Sequence, residues 1–167
     1  MKIRTELVQD HAVVQAINEA AFETPAEAKL VSSLRQQANP VISLVAEIGS
    51  TVVGHIMFSP LALEGHPKAK LMGLAPMAVL PAFQRQGIGT ALVQEGLKVC
   101  AQMEVGAVIV LGHPDFYPRF GFVPASVYSI GCEYDVPDDV FMAVELIPSY
   151  LKDLSGKVRY HEAFNDV

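Results

Sequence analysis

Residues 69–111 constrain this chain more than any other stretch. An apolar strand-like run, Ala69 to Leu80, is closed by Pro81. A glycine turn follows, Gln84-Arg85-Gln86-Gly87-Ile88-Gly89-Thr90, and leads into an amphipathic run from about Gly87 to Met103. Along that run Ile88, Leu92, Val93, Leu97, Cys100 and Ala101 recur at helical spacing. Val105 to Leu111 is then almost purely apolar, as in a strand buried on both faces. Strand, helix and strand of one sheet join by a right-handed crossover, which makes the two strands parallel.

The remainder must pack around that unit. Residues 2–6 read as a short strand. From Val8 to Phe22, the residues Val13, Val14, Ile17, Ala20 and Ala21 follow a helical period. Thr24-Pro25-Ala26-Glu27 is a helix start, with a hydroxyl cap, a proline in the first turn and Glu27 three residues after Thr24. That second helix runs to about Gln37 with Leu30, Val31 and Leu34 inward, and Asn39-Pro40 ends it. Val41–Ile48 and Thr51–Phe58 then form a hairpin around Gly49-Ser50, and residues 61–67 hold the next turn. After the crossover, residues 113–120 form a short turn or helix, strand character returns at Phe122, and a last strand spans Val140 to Leu146. Residues 148–154 read as a short helix. The expected class is α/β (α+β): one domain over residues 1–167, with a mixed, mostly antiparallel sheet of about seven strands and helices on both faces.

The glycine turn carries the first chemical signal. A helix start leaves its first N–H groups unpaired and bears a partial positive charge, so it suits phosphate. Glycine lets a bulky pyrophosphate reach the backbone. The dinucleotide fingerprint is incomplete because Leu92 stands where its third glycine belongs, and no GKS or GKT makes a Walker loop. A tight turn without a ligand fits the same residues. The second signal is Tyr117-Pro118-Arg119-Phe120-Gly121-Phe122. A tyrosine hydroxyl at a strand end can protonate a thiolate-type leaving group. Phe116, Phe120 and Phe122 around it fit a packed aromatic cluster equally well.

Taken together, Leu74-Ala75-Pro76-Met77-Ala78-Val79-Leu80-Pro81 and Gln84-Arg85-Gln86-Gly87-Ile88-Gly89 resemble the acetyl-CoA-binding core of the GCN5-related N-acetyltransferase (GNAT) superfamily. Residues 84–89 match that family's Arg/Gln-x-x-Gly-x-Gly/Ala pattern, and Tyr117 to Phe122 is similar to its tyrosine followed by Gly-Phe. Val140–Leu146 with Val158-Arg159-Tyr160-His161 looks like one bacterial branch of predicted acetyltransferases.

The resemblance implies the GNAT (acyl-CoA N-acyltransferase) fold and an N-acetyltransferase that moves acetyl from acetyl-CoA, as cosubstrate, to a primary amine. It implies that Met77, Ala78 and Val79 pair with the pantetheine arm. Backbone N–H groups of Gln86, Gly87, Gly89 and Thr90 would hold the pyrophosphate, with Gln84, Arg85 and Ile88 shaping the loop. Tyr117 would be the general acid. A non-catalytic acyl-CoA sensor on the same fold is the alternative reading. Glu47, His55, His113 and Asp115 are candidate proton acceptors; the first two also read as outward hairpin residues, the last two as turn residues. Glu133, Asp135, Asp138 and Asp139 could draw a cationic amine to the site or be a solvated turn.

Composition excludes several classes. A net charge of -6 argues against nucleic acid as a partner. No run is long and apolar enough to span a bilayer, which argues against a membrane partner. The start, with Lys2, Arg4, Glu6 and Asp10, is not a signal peptide. Two cysteines without CxxC spacing and scattered histidines without ligand spacing make a zinc site unexpected and a reduced, cytoplasmic setting the expectation. The acceptor amine, and monomer against homodimer, stay open.

Overall fold

Asn39-Pro40 marks the switch from a helical to an alternating apolar period, and there a helical hairpin gives way to sheet. The computed structural model describes Met1 to Val167, apart from the side chain of Asp166. The strands are β1 (Lys2–Thr5), β2 (Ile42–Ile48), β3 (Thr51–Leu63), β4 (Leu71–Val79), β5 (Ala107–Leu111), β6 (Val123–Pro124), β7 (Ile130–Cys132), β8 (Phe141–Glu145) and β9 (Gly156–Arg159). The helices are α1 (His11–Phe22), α2 (Ala26–Gln37) and α3 (Ile88–Gln102). The main sheet runs β1-β2-β3-β4-β5-β8-β6, seven strands as expected. β9 adds to the end of β3 and pairs with β7. Every pairing in the main sheet is antiparallel except β4 with β5, the two strands joined by the α3 crossover.

Both faces of the sheet are covered. α3 lays Ile88, Leu92, Val93 and Cys100 on one face, against Phe58, Met72, Val108 and Val110. Ala107 and Ile109 of β5 point to the opposite face, so the strand is buried on both sides, which explains its unbroken apolar sequence. On that opposite face α1 and α2 cover Val45, Val52, Met57 and Ala78. Leu151 and Val158 cover the C-terminal half.

The helix faces differ in detail from their sequence periods. Ala20 and Ala101 lie exposed, while Asn18 and Gly96 take inward places. Gly96 is inward because the Phe58 ring lies against it: a Cβ there would stand 2.3 Å from Phe58 Cε1. The Thr24 hydroxyl donates to Glu27 Oε1 at 2.9 Å and accepts from Ala26 N–H at 3.4 Å, so the cap binds the first turn without the full reciprocal box.

Two expectations, one about a strand end and one about a helix, fail. β3 continues to Leu63, past residues 61–63 that read as turn, because Ala62 and Leu63 pair with Arg159 and Val158 of β9. That partner is about a hundred residues away and leaves no local signal. Residues 148–154 form successive turns rather than a helix: Tyr150, Lys152 and Leu154 N–H groups bond carbonyls three residues back. Among the described residues, no helix is long and apolar enough to cross a membrane.

A polar chain ties both hairpin helices to the sheet. Arg35 of α2 makes a bidentate pair with Glu6, at 2.7 and 3.2 Å. The Ser43 hydroxyl donates to Glu6 at 2.9 Å and lies 2.8 Å from His55 Nε2. A hydroxyl has one hydrogen, so Ser43 accepts from His55 Nε2–H. His55 Nδ1 then accepts from Asn18 Nδ2 of α1 at 3.3 Å, and Asn18 also donates to Val14 O. His55 is fully buried, contrary to its reading as an outward hairpin residue, because α1 and α2 cover that face of β3.

Burial pushes His55 from an ordinary 6.5 down to about 4; the Glu6 carboxylate opposes the shift and Arg35 adds to it. The folded protein therefore keeps His55 neutral while the unfolded chain takes up a proton. This contribution to stability is whole above pH 6.5 and is lost as pH falls through about 4, at most about 3 kcal/mol. Urea midpoints taken at pH 7, 5.5 and 4 should fall more steeply for the native chain than for His55→Gln. Parallel pH dependences would show that His55 does not carry the effect.

Candidate functional site

The site begins where two strands part. Leu71 to Leu74 of β4 pair in parallel with Ala107 to Val110 of β5. Beyond that point β4 follows β3, through Met77 opposite Ile56, Ala78 opposite His55 and Val79 opposite Gly54. β5 meanwhile stays with β8, Leu111 opposite Phe141. Pro76 sits at the parting. It has no N–H for a ladder, and the β3–β4 register shifts beside it, between Ile56 and Phe58. Each strand is held by its outer partner, so the gap between them stays open.

The glycine turn closes one end of that gap. Pro81–Phe83 make a single 3₁₀ turn after β4, and Gln84 Nε2 donates back to Val79 O at 3.0 Å. Arg85 and Gly87 are left-handed, at φ +62° and +85°. Gly87 needs that freedom, and nothing lies within 4 Å of where its Cβ would be. Ala91 N–H bonds Gly87 O at 3.1 Å, which leaves the N–H groups of Ile88, Gly89 and Thr90 without a partner in the helix. Gly89 faces Met77 and Phe116, 3.5 and 3.7 Å from the place of a Cβ.

A cavity of about 670 Å³ lies over this turn. Met77, Val79, Gln84, Arg85, Gly87, Ile88, Gly89 and Thr90 all line it. Ala78 lines the neighbouring cavity instead. Gln86 lines neither; its side chain donates to Ala82 O at 3.4 Å. Arg119, unassigned from sequence, lines the cavity and stacks on the Phe116 ring at 4.8 Å. Its position in the Tyr-Pro-Arg-Phe turn, one turn below Phe116, was the available signal.

Tyr117 belongs both to an aromatic cluster and to the cavity wall. Its ring meets Phe116 and Phe122 edge-on, with centroids 5.0 and 5.6 Å away. It also lies flat on the backbone of Gly112, where a Cβ would come within 2.3 Å of Tyr117 Cε2. Burial pushes the phenol up to about 12.

A second cavity, of about 660 Å³, shares Met77, Val79, Gln84, His113 and Tyr117 with the first. Its far wall comes from Phe22, Glu27 and Leu30 of the helical hairpin, from Tyr134 and Val136 before β8, and from Tyr160 and Phe164 after β9. None of these was read as a site residue from the sequence, because three separate segments supply them. Of the four candidate proton acceptors, His113 alone lines the cavities. Glu47 pairs with Arg4 at 3.2 Å, His55 is under the helices, and Asp115 is exposed, with its carbonyl accepting from Arg119. The acidic group also stays outside. Glu133 accepts from Tyr160 N–H at 2.9 Å and from Arg159 at 3.4 Å, while Asp135, Asp138 and Asp139 are exposed.

A splayed strand pair, a helix start with free N–H groups and a buried tyrosine meet at one junction of the mixed sheet. Residues 11–122 match the model of the acetyltransferase (GNAT) family, and the chain belongs to that family. It is 36% identical over 166 residues to the Escherichia coli (strain K12) protein YhbS, described as an uncharacterized N-acetyltransferase, and the match covers 99% of each chain. The crystal structure of E. coli YhbS in complex with CoA is similar to this chain with a TM-score of 0.92 at 35% identity, covering 98% of this chain and 91% of that one. A GNAT-family acetyltransferase from Brucella melitensis in complex with acetyl-CoA is similar with a TM-score of 0.81 at 35% identity, covering 98% and 97%.

The Gly112–Tyr117 contact has a direct consequence. Gly112→Ala drives a methyl group into the Tyr117 ring and should cost about 1–3 kcal/mol in urea denaturation, as overpacking does. Gly131→Ala, where the nearest side-chain atom would be 3.8 Å away, should cost less than half as much. Equal costs would contradict a packed Tyr117.

Proposed function

We propose that this chain transfers the acetyl group of acetyl-CoA to a primary amine by direct attack in a ternary complex. The observation that carries the reading is the meeting of two cavities at one wall formed by Met77, Val79 and Tyr117. The first cavity suits CoA. Free N–H groups at the α3 start suit a pyrophosphate, Arg85 and Arg119 supply positive charge, and the backbone of Met77–Val79 faces the gap left by β5. The solved complexes of the two relatives with CoA and acetyl-CoA support that assignment. The second cavity then receives the amine.

Few groups are needed for the chemistry. The neutral amine nitrogen attacks the thioester carbon; the C–N bond forms and the C–S bond breaks. Holding both reactants across one wall supplies much of the rate. A backbone N–H near Val79 donates to the oxyanion. Tyr117 gives its proton to the departing sulfur, and the proton released by the amine passes by way of His113 to solvent, leaving Tyr117 to be reprotonated.

The raised pKa of Tyr117 is compatible with this role. A phenol near 12 stays protonated at neutral pH, but it would protonate an ordinary thiolate near 8.5 only uphill, by about 5 kcal/mol. Apolar surroundings raise thiols as well: burial pushes the Cys100 thiol up to about 12. A thiolate leaving in a dry gap is a stronger base than one in water, which lessens that uphill step.

Tyr117→Phe should lower kcat by about 100-fold or more while acetyl-CoA affinity by calorimetry stays within about twofold. An unchanged kcat across pH would remove the general-acid role. Gly89→Glu places a carboxylate among the free N–H groups and should weaken acetyl-CoA binding at least about tenfold with an unaltered thermal midpoint. Full affinity in that variant would place the phosphates elsewhere.

A further inference from the structure

We infer that the acceptor is a primary monoamine on a flat apolar body, an arylalkylamine with a neutral oxygen on its ring, and not a polyamine, an amino sugar or an amino acid. The inference deepens the acetyltransferase reading and rests on it. It comes from the wall of the second cavity that CoA does not share.

That wall is aromatic. Tyr160 lies 5.5 Å from Tyr134 and 5.0 Å from Phe164, ring centre to ring centre, and Phe22 of α1 lines the same cavity. These rings pack on one another, and the apolar surface that they and Phe22 present to the cavity favours a flat ring over a flexible polar chain. Charge narrows the choice further. Among the described residues, Glu27 is the one acidic side chain lining the cavity, and no lysine or arginine lines it. A polyamine or aminoglycoside brings several positive charges and would leave all but one without a partner. The acidic group that could have matched them, Glu133 to Asp139, is outside the cavity. An amino acid brings a carboxylate and would find no cation. An unpaired charge in a largely apolar cavity is costly, so both classes are disfavoured.

The third observation concerns hydrogen bonds. The hydroxyls of Tyr134 and Tyr160 are buried and have no partner in the protein. A buried hydroxyl without a partner is left short of the bond it had with water in the unfolded chain. Burial also pushes Tyr160 upward, so its hydroxyl stays a donor at any physiological pH. A small turn of either side chain toward the cavity that both residues line would let a phenol or ether oxygen on the amine's ring accept from it.

The test measures CoA thiol release by the wild-type chain with saturating acetyl-CoA. Tyramine and phenethylamine are compared with spermidine, kanamycin and L-tyrosine. L-tyrosine is tyramine plus one carboxylate and so isolates the charge term. Tyramine should exceed spermidine, kanamycin and L-tyrosine in kcat/KM by at least about tenfold, and should exceed phenethylamine. Tyr134→Phe and Tyr160→Phe should reduce the preference for tyramine over phenethylamine, and Glu27→Gln should raise the KM of both amines more than it lowers kcat. Faster turnover of spermidine, kanamycin or L-tyrosine overturns this inference and leaves the acetyltransferase reading standing. Acetyl-CoA binding with no turnover of any amine overturns both. A tyramine preference intact in both tyrosine variants overturns the role of the hydroxyls.

Discussion

The parting of β4 from β5 after Leu74 and Val110 is the constraint on which the rest depends. A parallel pair would normally zip along its length. Here β4 is held by β3 and β5 by β8, and Pro76 removes a ladder donor at the point of divergence. The exposed backbone of Met77–Val79 has no strand beside it, so it can serve a ligand. α3 must begin where β4 ends, which brings its free N–H groups to the mouth of the gap. The loop after β5 must cross the other side, and it carries Tyr117. One defect in pairing therefore gathers three parts of the candidate site from three elements.

Most of that arrangement was legible in the sequence. Strand, glycine turn, helix and strand occupy consecutive residues, so local period and turn chemistry were enough to order them. The residues around the turn that read as ligand-binding line one cavity, apart from Ala78 in the adjoining one and Gln86 in neither. What escaped was non-local. β9 pairs with the end of β3 across about a hundred residues, and nothing in Ala62-Leu63 announces it. The far wall is drawn from α1, α2, the turn before β8 and the segment after β9, so no single stretch carries its pattern. His55 misled for a related reason: alternation assigned a face, but not the helices that cover it.

The same low-polarity interior acts on different groups in one direction. It lowers His55, raises Tyr117 and raises Cys100, because in each case the charged form loses its water. For His55 the outcome is structural, a neutral link between α1 and the strands. For Tyr117 it is a phenol that stays protonated at neutral pH. Sequence shows which groups can titrate, whereas the packing around them sets the pH at which they do so.

The shared wall of Met77, Val79 and Tyr117 has a consequence for ligand design. Because the two cavities share these lining residues, a single molecule could be built to reach both. A CoA moiety tethered to an amine through a short linker would pay the entropy of association once, and its second half would bind at an effective concentration far above that of a free amine. The length of the best tether would then act as a ruler, measuring from inside the protein how far apart nucleophile and thioester are held.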